Sequence, residues 1–303
     1  MDLLDCAIVG AGPAGLTAAV YLRRYHRDVR VFDGGESRAR WIPRTHNCPG
    51  HPHGISGSDL LRRLRDQAEE HAVPITRTRI RCVRPAEDGF AIEDGEQQWH
   101  ARCVLLATGI HDVVPDMDRL DEAIACTAIR LCAICDAYEA TDGNIGVLAP
   151  VERGLDHAIF LRSYSASVTL IPLSGAEEAI AEDQAELRRR AEASGVRICG
   201  PCSQLRATPG DGCTVVHPDG SESRFDAVYP VLGSLPESGL ASDLGARLSD
   251  KGELIVDARN ETSVSGLYAA GDVVSELNQI AVAMGHAAIA ATAIHRRLPA
   301  NPR

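Results

Sequence analysis

No stretch of this sequence approaches the ~18 uninterrupted apolar residues of a membrane span, so no transmembrane helix is expected. Positive charge is also in short supply. Lys and Arg total 31 against 42 Asp and Glu, and the net charge of -11 repels phosphate backbones and anionic lipid, which removes nucleic acid and membrane surfaces from the expected partners. The N-terminus lacks the basic residues of a secretory signal: Met1-Asp2-Leu3-Leu4-Asp5 is acidic and runs straight into a buried-strand pattern, so a cytoplasmic location is the expectation. A low-complexity linker is missing too.

What is present is 303 residues, 45% of them hydrophobic, a size at which single cores stop growing and two domains are expected. Short apolar strands alternate with helical segments along the whole length, which argues for an α/β fold built on parallel sheets. Cys6-Ala7-Ile8-Val9 reads as a buried strand. Pro13 to Tyr25 reads as a helix with Ala14, Ala18, Tyr21, Leu22 and Tyr25 on one face, and Val29 to Phe32 as the next strand. A second βαβ unit starts at Asn144 to Leu148, continues through a helix from near Asp156 to Tyr164, and returns as Ser167 to Ile171. Gly266 to Asp272 looks like a further strand running into a glycine turn and a long helix, an element that belongs with the first unit. The expectation is two Rossmann-like domains of FAD/NAD-binding type, with residues 115–228 inserted into a discontinuous first domain of 1–114 and 229–303.

Gly10-Ala11-Gly12-Pro13-Ala14-Gly15 fits G-x-G-x-x-G and lies between a strand and a helix, where the chemistry requires it. Gly10 permits the tight turn, Gly12 lets the backbone approach a pyrophosphate, and Gly15 allows close packing of helix on strand. The helix N-terminus, from Pro13 and Ala14 onward, supplies the positive dipole end. Asp33 ends the second strand, placed to accept a hydrogen bond from adenosine ribose hydroxyls, with Glu36 as its rival. This motif alone does not decide between FAD and a nicotinamide dinucleotide.

Ten cysteines are present, and two pairs have C-x-x-C spacing: Cys132/Cys135 and Cys199/Cys202. Residues 136–198 separate them, far more than the ~15 to 20 residues of compact four-cysteine zinc sites, so no metal is expected. Cys199-Gly200-Pro201-Cys202 is the thioredoxin tetrapeptide, but it runs into Gln204 to Ala207 and a Pro209 to Gly212 turn typical of a hairpin rather than opening a helix. It is read as structural.

Further segments carry a resemblance. Ala270-Gly271-Asp272 followed by Asn278-Gln279-Ile280 resembles the second FAD motif of the low-molecular-weight thioredoxin reductases. Thr45-His46-Asn47-Cys48-Pro49-Gly50 resembles their Asn-x-Pro-Gly segment near the flavin ring, and Ala107-Thr108-Gly109 their returning strand end. In family order these pieces cover nearly the whole chain. The resemblance implies FAD as cofactor, with Asp272 on the ribitol, Gln279 and Ile280 presenting backbone N–H groups to the isoalloxazine, and Asn47, Thr108, Gly109 and Gly271 around it. It also implies a homodimer. Leu131-Cys132-Ala133-Ile134-Cys135-Asp136 matches the family's Cys-x-x-Cys-Asp, two thiols at a helix start that can close a small disulfide ring. By the resemblance Cys135 faces the flavin, Cys132 exchanges with a substrate disulfide, for example of a thioredoxin-like protein, and Asp136 is the general acid/base.

The resemblance fails at the NADPH site. Where a second G-x-G-x-x-A/G is required, the chain has Ala149-Pro150-Val151-Glu152-Arg153-Gly154. Pro150 removes a backbone N–H, Val151 places a β-branched side chain where pyrophosphate would press, and Glu152 adds negative charge. The following strand ends in Ile171-Pro172-Leu173-Ser174 without the family's basic patch. The expected donor is therefore ferredoxin, flavodoxin or a second flavin, the last through a resemblance of the 38–47 and 160–164 runs to diflavin-linked disulfide oxidoreductases. A dithiol oxidase, an NADPH-linked reductase with an atypical loop, and a flavin redox sensor are the alternatives.

Overall fold

The computed structural model describes residues 3–173, 181–275 and 277–302. The chain opens with β1 (Leu3–Val9), α1 (Pro13–Arg24) and β2 (Val29–Phe32), then a 3₁₀ turn at Arg38–Trp41 and α2 (Gly57–Glu70). There follow β3 (Ile75–Thr76), β4 (Cys82–Ala86), β5 (Gly89–Glu93), β6 (Gln98–Leu106), β7 (Ile110–Asp112), α3 (Leu120–Ala125) and the single turn α4 (Ala133–Asp136). Next come β8 (Asn144–Ala149), α5 (Val151–Leu161), β9 (Ser167–Pro172), α6 (Ala181–Ala193), β10 (Arg197–Ile198) and β11 (Gln204–Thr208). The remainder is β12 (Gly212–Val216), β13 (Glu222–Phe225), β14 (Ala227–Pro230), β15 (Ser234–Pro236), α7 (Gly239–Ser242), β16 (Leu267–Ala269) and α8 (Ile280–Arg297).

The chain divides into two compact units, one of residues 1–40, 48–111 and 235–303, the other of residues 41–47 and 112–234. In the first, β3-β2-β1-β6 form a parallel sheet. Besides β1, the long β6 serves two further neighbours: its first half pairs antiparallel with β5, and its second half pairs in parallel with β16, through Val104 to Leu106. Cys6, Ala7 and Ile8 are wholly buried because both faces of β1 are covered. On one face Ala14, Ala18 and Leu22 of α1 meet Ala283, Ala287, Ala290 and Ile294 of α8, and the small side chains let these helices come close. On the other face Phe32, Phe90, Ile92 and Leu106 build a second core layer.

In the second unit β10-β9-β8-β14 form a parallel sheet, and β11-β12-β13 an antiparallel one. The helix expected from near Asp156 starts earlier, at Val151, because Pro150 with φ -55° is set for the residue ahead of a helix and the first intrahelical bond is Gly154 N–H to Pro150 C=O. Among the described residues no helix is long and apolar enough to cross a membrane.

Candidate functional site

In the first unit the glycine motif is a sterically forced structure with one exception. Gly10 has φ +109°, and a Cβ there would lie 2.2 Å from the Ala107 carbonyl oxygen. A Cβ on Gly15 would lie 1.9 Å from the Gly10 carbonyl oxygen, so α1 is seated on the turn with no room for a methyl group. Gly12 differs. Its φ of -80° and ψ of -171° suit any residue, and its Cβ would meet only the Ser37 hydroxyl oxygen, at 3.3 Å. No packing demand of the protein itself explains glycine at this position, and the backbone there is open to an approaching ligand. Gly12 is the N-cap of α1 without a side-chain cap, and the first turn carries no acid, which leaves its free N–H groups to an anion.

The second motif converges on the first. Gly271, at φ +86°, would place a Cβ 3.2 Å from that of Ala14 and 3.6 Å from that of Ala283, so the glycine lies between α1 and α8. Asp272 follows, half-buried, and Gln279 is the extended N-cap of α8, ahead of Ile280 at its first position. Again no side chain caps the helix. Asn278 Oδ1 in this motif and His286 Nδ1 further along α8 are buried with no hydrogen-bond partner among the described residues, and burial lowers the His286 pKa, favouring the neutral ring. Uncapped N–H groups, an unfilled approach at Gly12 and orphaned buried polar atoms together fit a dinucleotide with a polar ring system.

Asp33 is 5% exposed at the end of β2. Its Oδ1 accepts the Gly35 N–H at 2.8 Å, and its Oδ2 accepts from Arg65 Nη2 of α2 at 2.8 Å. Glu36, the rival, is exposed and paired with Arg79. Thr108 donates its hydroxyl to the Glu237 carbonyl at 2.7 Å, and Gly109 follows at φ +75°. Arg65 is the residue that sequence reading missed; 32 positions separate it from Asp33, and no local pattern signals the pair.

In the second unit Cys132 and Cys135 are joined by a disulfide, with Cys132 at the N-cap position of α4 and no capping bond from its side chain. The expected helix is one turn, so its dipole is too short to act strongly on a thiol. What surrounds the pair is more telling. Asp136 Oδ1 accepts a hydrogen bond from the Tyr229 hydroxyl at 2.9 Å, and Arg130 Nη1 lies 3.4 Å from Oδ2 and donates to the Asp136 carbonyl at 3.0 Å. Burial pushes the Asp136 carboxyl above its ordinary pKa, while Arg130 and Tyr229 pull it back. Asn47 belongs to this unit: its Oδ1 accepts from Thr45, and its Nδ2 donates to the carbonyl of Ile134, between the two cysteines, at 3.4 Å.

The second unit also holds a counterpart of the glycine cradle. A Cβ on Gly154 would stand 2.5 Å from Leu170 Cδ1 and 2.7 Å from Ala149 Cβ, so Gly154 packs helix on strand as Gly15 does. Ala149, Pro150 and Val151 occupy the turn before it, with Val151 half-buried against the core and Glu152 in the first turn of α5. The other pair, Cys199 and Cys202, sits between β10 and β11 with no helix. Burial pushes the Cys199 thiol up to about 11 and raises that of Cys202. His217 holds this loop through Pro201 C=O and Ser223 Oγ, at 2.9 and 2.8 Å.

Residues 4–287 match the family model described as pyridine nucleotide-disulphide oxidoreductase. A thioredoxin reductase of Mycolicibacterium smegmatis is 29% identical over 95% of this chain and 94% of its own. A 34.2 kDa protein in the rubredoxin operon of Clostridium pasteurianum is 27% identical, covering 95% of each chain. Among solved structures HlmI superposes with a TM-score of 0.87 at 27% identity, over 97% of this chain and 92% of its own. The chain belongs to the pyridine nucleotide-disulphide oxidoreductase family. It is a thioredoxin reductase-like flavoprotein disulfide oxidoreductase, and FAD is its cofactor.

Proposed function

We propose that this chain moves two electrons between its FAD and a disulfide substrate through Cys132 and Cys135, using a reductant other than a nicotinamide. The observation that carries the reading is the Cys132–Cys135 disulfide with the Asp136 carboxylate anchored beside it by Tyr229 and Arg130. Bound FAD supplies a two-electron reservoir. Gly10, Gly12, Pro13, Ala14 and Gly15 would hold its pyrophosphate, Asp33 its ribose, and Asn47, Thr108, Gly109, Gly271, Asp272, Gln279 and Ile280 its remainder.

In the reduced dithiol Cys132 attacks one sulfur of the substrate disulfide. The S–S bond breaks, and the departing sulfur leaves with the electron pair and takes a proton. Cys135 then attacks Cys132 Sγ, re-forming the ring disulfide and releasing the second substrate thiol, while Asp136 accepts and returns the proton. A thioredoxin-like or rubredoxin-like protein is the proposed partner, with ferredoxin or flavodoxin as donor and a homodimer as the assembly. The reading against nicotinamide is supported by Pro150 without an N–H and Glu152 in the first turn of α5; the expected obstruction by Val151 is not part of it, since that side chain is half-buried against the core. Loss of several charge-assisted hydrogen bonds, each worth about 1.5 to 3 kcal/mol, weakens affinity by orders of magnitude.

The test is anaerobic stopped-flow absorbance of the flavin. NADPH and NADH are expected to leave it oxidised on a catalytic timescale, and dithionite to reduce it. The reduced protein is expected to reduce oxidised thioredoxin, and Cys132→Ser or Cys135→Ser to stop this. Bleaching by micromolar NADPH would make the chain an NADPH-linked reductase; full activity in both serine variants would remove the dithiol from the mechanism.

A further inference from the structure

Tyr229 is among the largest side chains that are fully buried, and its place in the core needs only a ring. It nevertheless carries a hydroxyl, which donates to Asp136 Oδ1 at 2.9 Å and also interacts with Arg130. Burying a hydroxyl is unfavourable unless it is hydrogen-bonded, so phenylalanine would serve packing alone as well or better. The placement is set by the sheet. Ile129 bridges to Val228, and Arg130 N–H donates to the Val228 carbonyl at 3.0 Å, so the segment bearing Arg130 runs beside β14 and both side chains reach the same carboxylate. Arg130 Nε is itself buried without a hydrogen-bond partner among the described residues, a cost at the same spot.

We infer that Tyr229 is a positioning residue for Asp136, donating a hydrogen bond that keeps the carboxylate ionised and aimed so that it can take a proton from the Cys132/Cys135 dithiol. The inference rests on the dithiol reading proposed above. The groups acting on Asp136 are Arg130 from the preceding segment, Tyr229 from β14 and Glu139 from the following turn, and in sequence Cys135 directly precedes it while Cys132 is the N-cap of the same helical turn. Glu139 and burial disfavour the charge, while Arg130 and Tyr229 favour it. A carboxyl lifted by burial and stripped of one donor would hold its own proton, and could then accept one from Cys135 only at higher pH. The proton balance follows the exchange already described: Cys135 gives its proton to Asp136 as it attacks Cys132 Sγ, and Asp136 passes that proton to the departing substrate sulfur.

The test uses the FAD-loaded protein with its dithiol reduced, mixed anaerobically with oxidised glutathione. The rate of Cys132–Cys135 disulfide formation is read across pH by acid quench and mass spectrometry of alkylated thiols. Tyr229→Phe removes one oxygen and keeps the packing. Its acid limb is expected to move up by about one pH unit, with the high-pH plateau retained within about twofold. Because thiolate formation gives the exchange an acid limb of its own, Asp136→Asn is expected to move the limb to that of the unassisted thiol, and Tyr229→Phe to have no further effect on pH dependence in that background. An unmoved limb in Tyr229→Phe, beside a moved limb in Asp136→Asn, overturns the inference and leaves the dithiol reading standing. A limb in Asp136→Asn that coincides with the parent's overturns both the inference and the acid/base role of Asp136.

Discussion

Replacing Gly12 by alanine separates what the fold demands from what the cofactor demands. At Gly15 the added methyl would stand 1.9 Å from a backbone oxygen that cannot turn away, so α1 must shift on its sheet. Overpacking of this kind costs about 1 to 3 kcal/mol, which for a protein of this size lowers Tm by roughly 2 to 10 °C. At Gly12 the backbone is already extended, and the only neighbour is the Ser37 hydroxyl at 3.3 Å, a rotatable group. Alanine there is expected to leave the apoprotein's Tm unchanged or slightly raised, since it trims the freedom of the unfolded chain by about 0.4 to 1 kcal/mol. The same methyl intrudes on an approaching pyrophosphate. A loss of about 1 to 3 kcal/mol in binding corresponds to FAD held roughly 5- to 150-fold more weakly. Melting of the apoproteins by circular dichroism and fluorescence titration with FAD read the two effects apart. The reasoning is refuted if Gly12→Ala melts as low as Gly15→Ala, or if it binds FAD as tightly as the parent.

Arg65→Ala leaves the buried Asp33 carboxylate with its Gly35 contact but without its charged partner, and is expected to cost about 1 to 3 kcal/mol in a urea melt, part of it restored by Arg65→Lys; a variant as stable as the parent would show that the pair contributes nothing. Because burial lifts the Cys199 thiol to about 11, its alkylation by iodoacetamide at pH 8 is expected to be slow and to rise about tenfold per pH unit until near pH 11, as thiolate forms only there. Fast labelling of Cys199 at pH 7 would contradict that, and loss of disulfide-reducing activity in Cys199→Ser/Cys202→Ser would contradict the structural role assigned to the pair.

The parallel layers were legible in the sequence because both βαβ units announce themselves by short, mainly apolar strands, Cys6 to Val9 and Asn144 to Leu148, each followed by a turn and a helical segment. The hairpin character after Cys202 was legible for the same reason: the Pro209 to Gly212 turn connects β11 to β12 in the structure. The start of α5 was not. Val151-Glu152-Arg153-Gly154 has no apolar period of its own, and its helicity follows from Pro150 and from the packing of Gly154 on Ala149 and Leu170. Nor were the partners of the acids. Arg65 reaches Asp33, and Tyr229 reaches Asp136 over 93 positions, along a route set by strand pairing. The residue types signalled nothing in advance, since a lone tyrosine in an apolar strand reads as core. The placement of Trp41 to Asn47 with the second unit likewise depends on where Trp41 finds an apolar cluster, among Ile124, Leu131 and Phe225.

Gly154 makes the turn after β8 an opportunity for redesign. A nucleotide loop normally has to satisfy two masters, the ligand on one side and the helix–strand seam on the other, and grafting one usually fails at the seam. Here the seam already has its glycine, with a Cβ position 2.5 Å from Leu170 Cδ1. An engineer wishing to install a new specificity in this unit can therefore confine the library to Pro150 and Glu152, leaving untouched Ala149, which is part of the hydrophobic layer, and Val151, which packs against it.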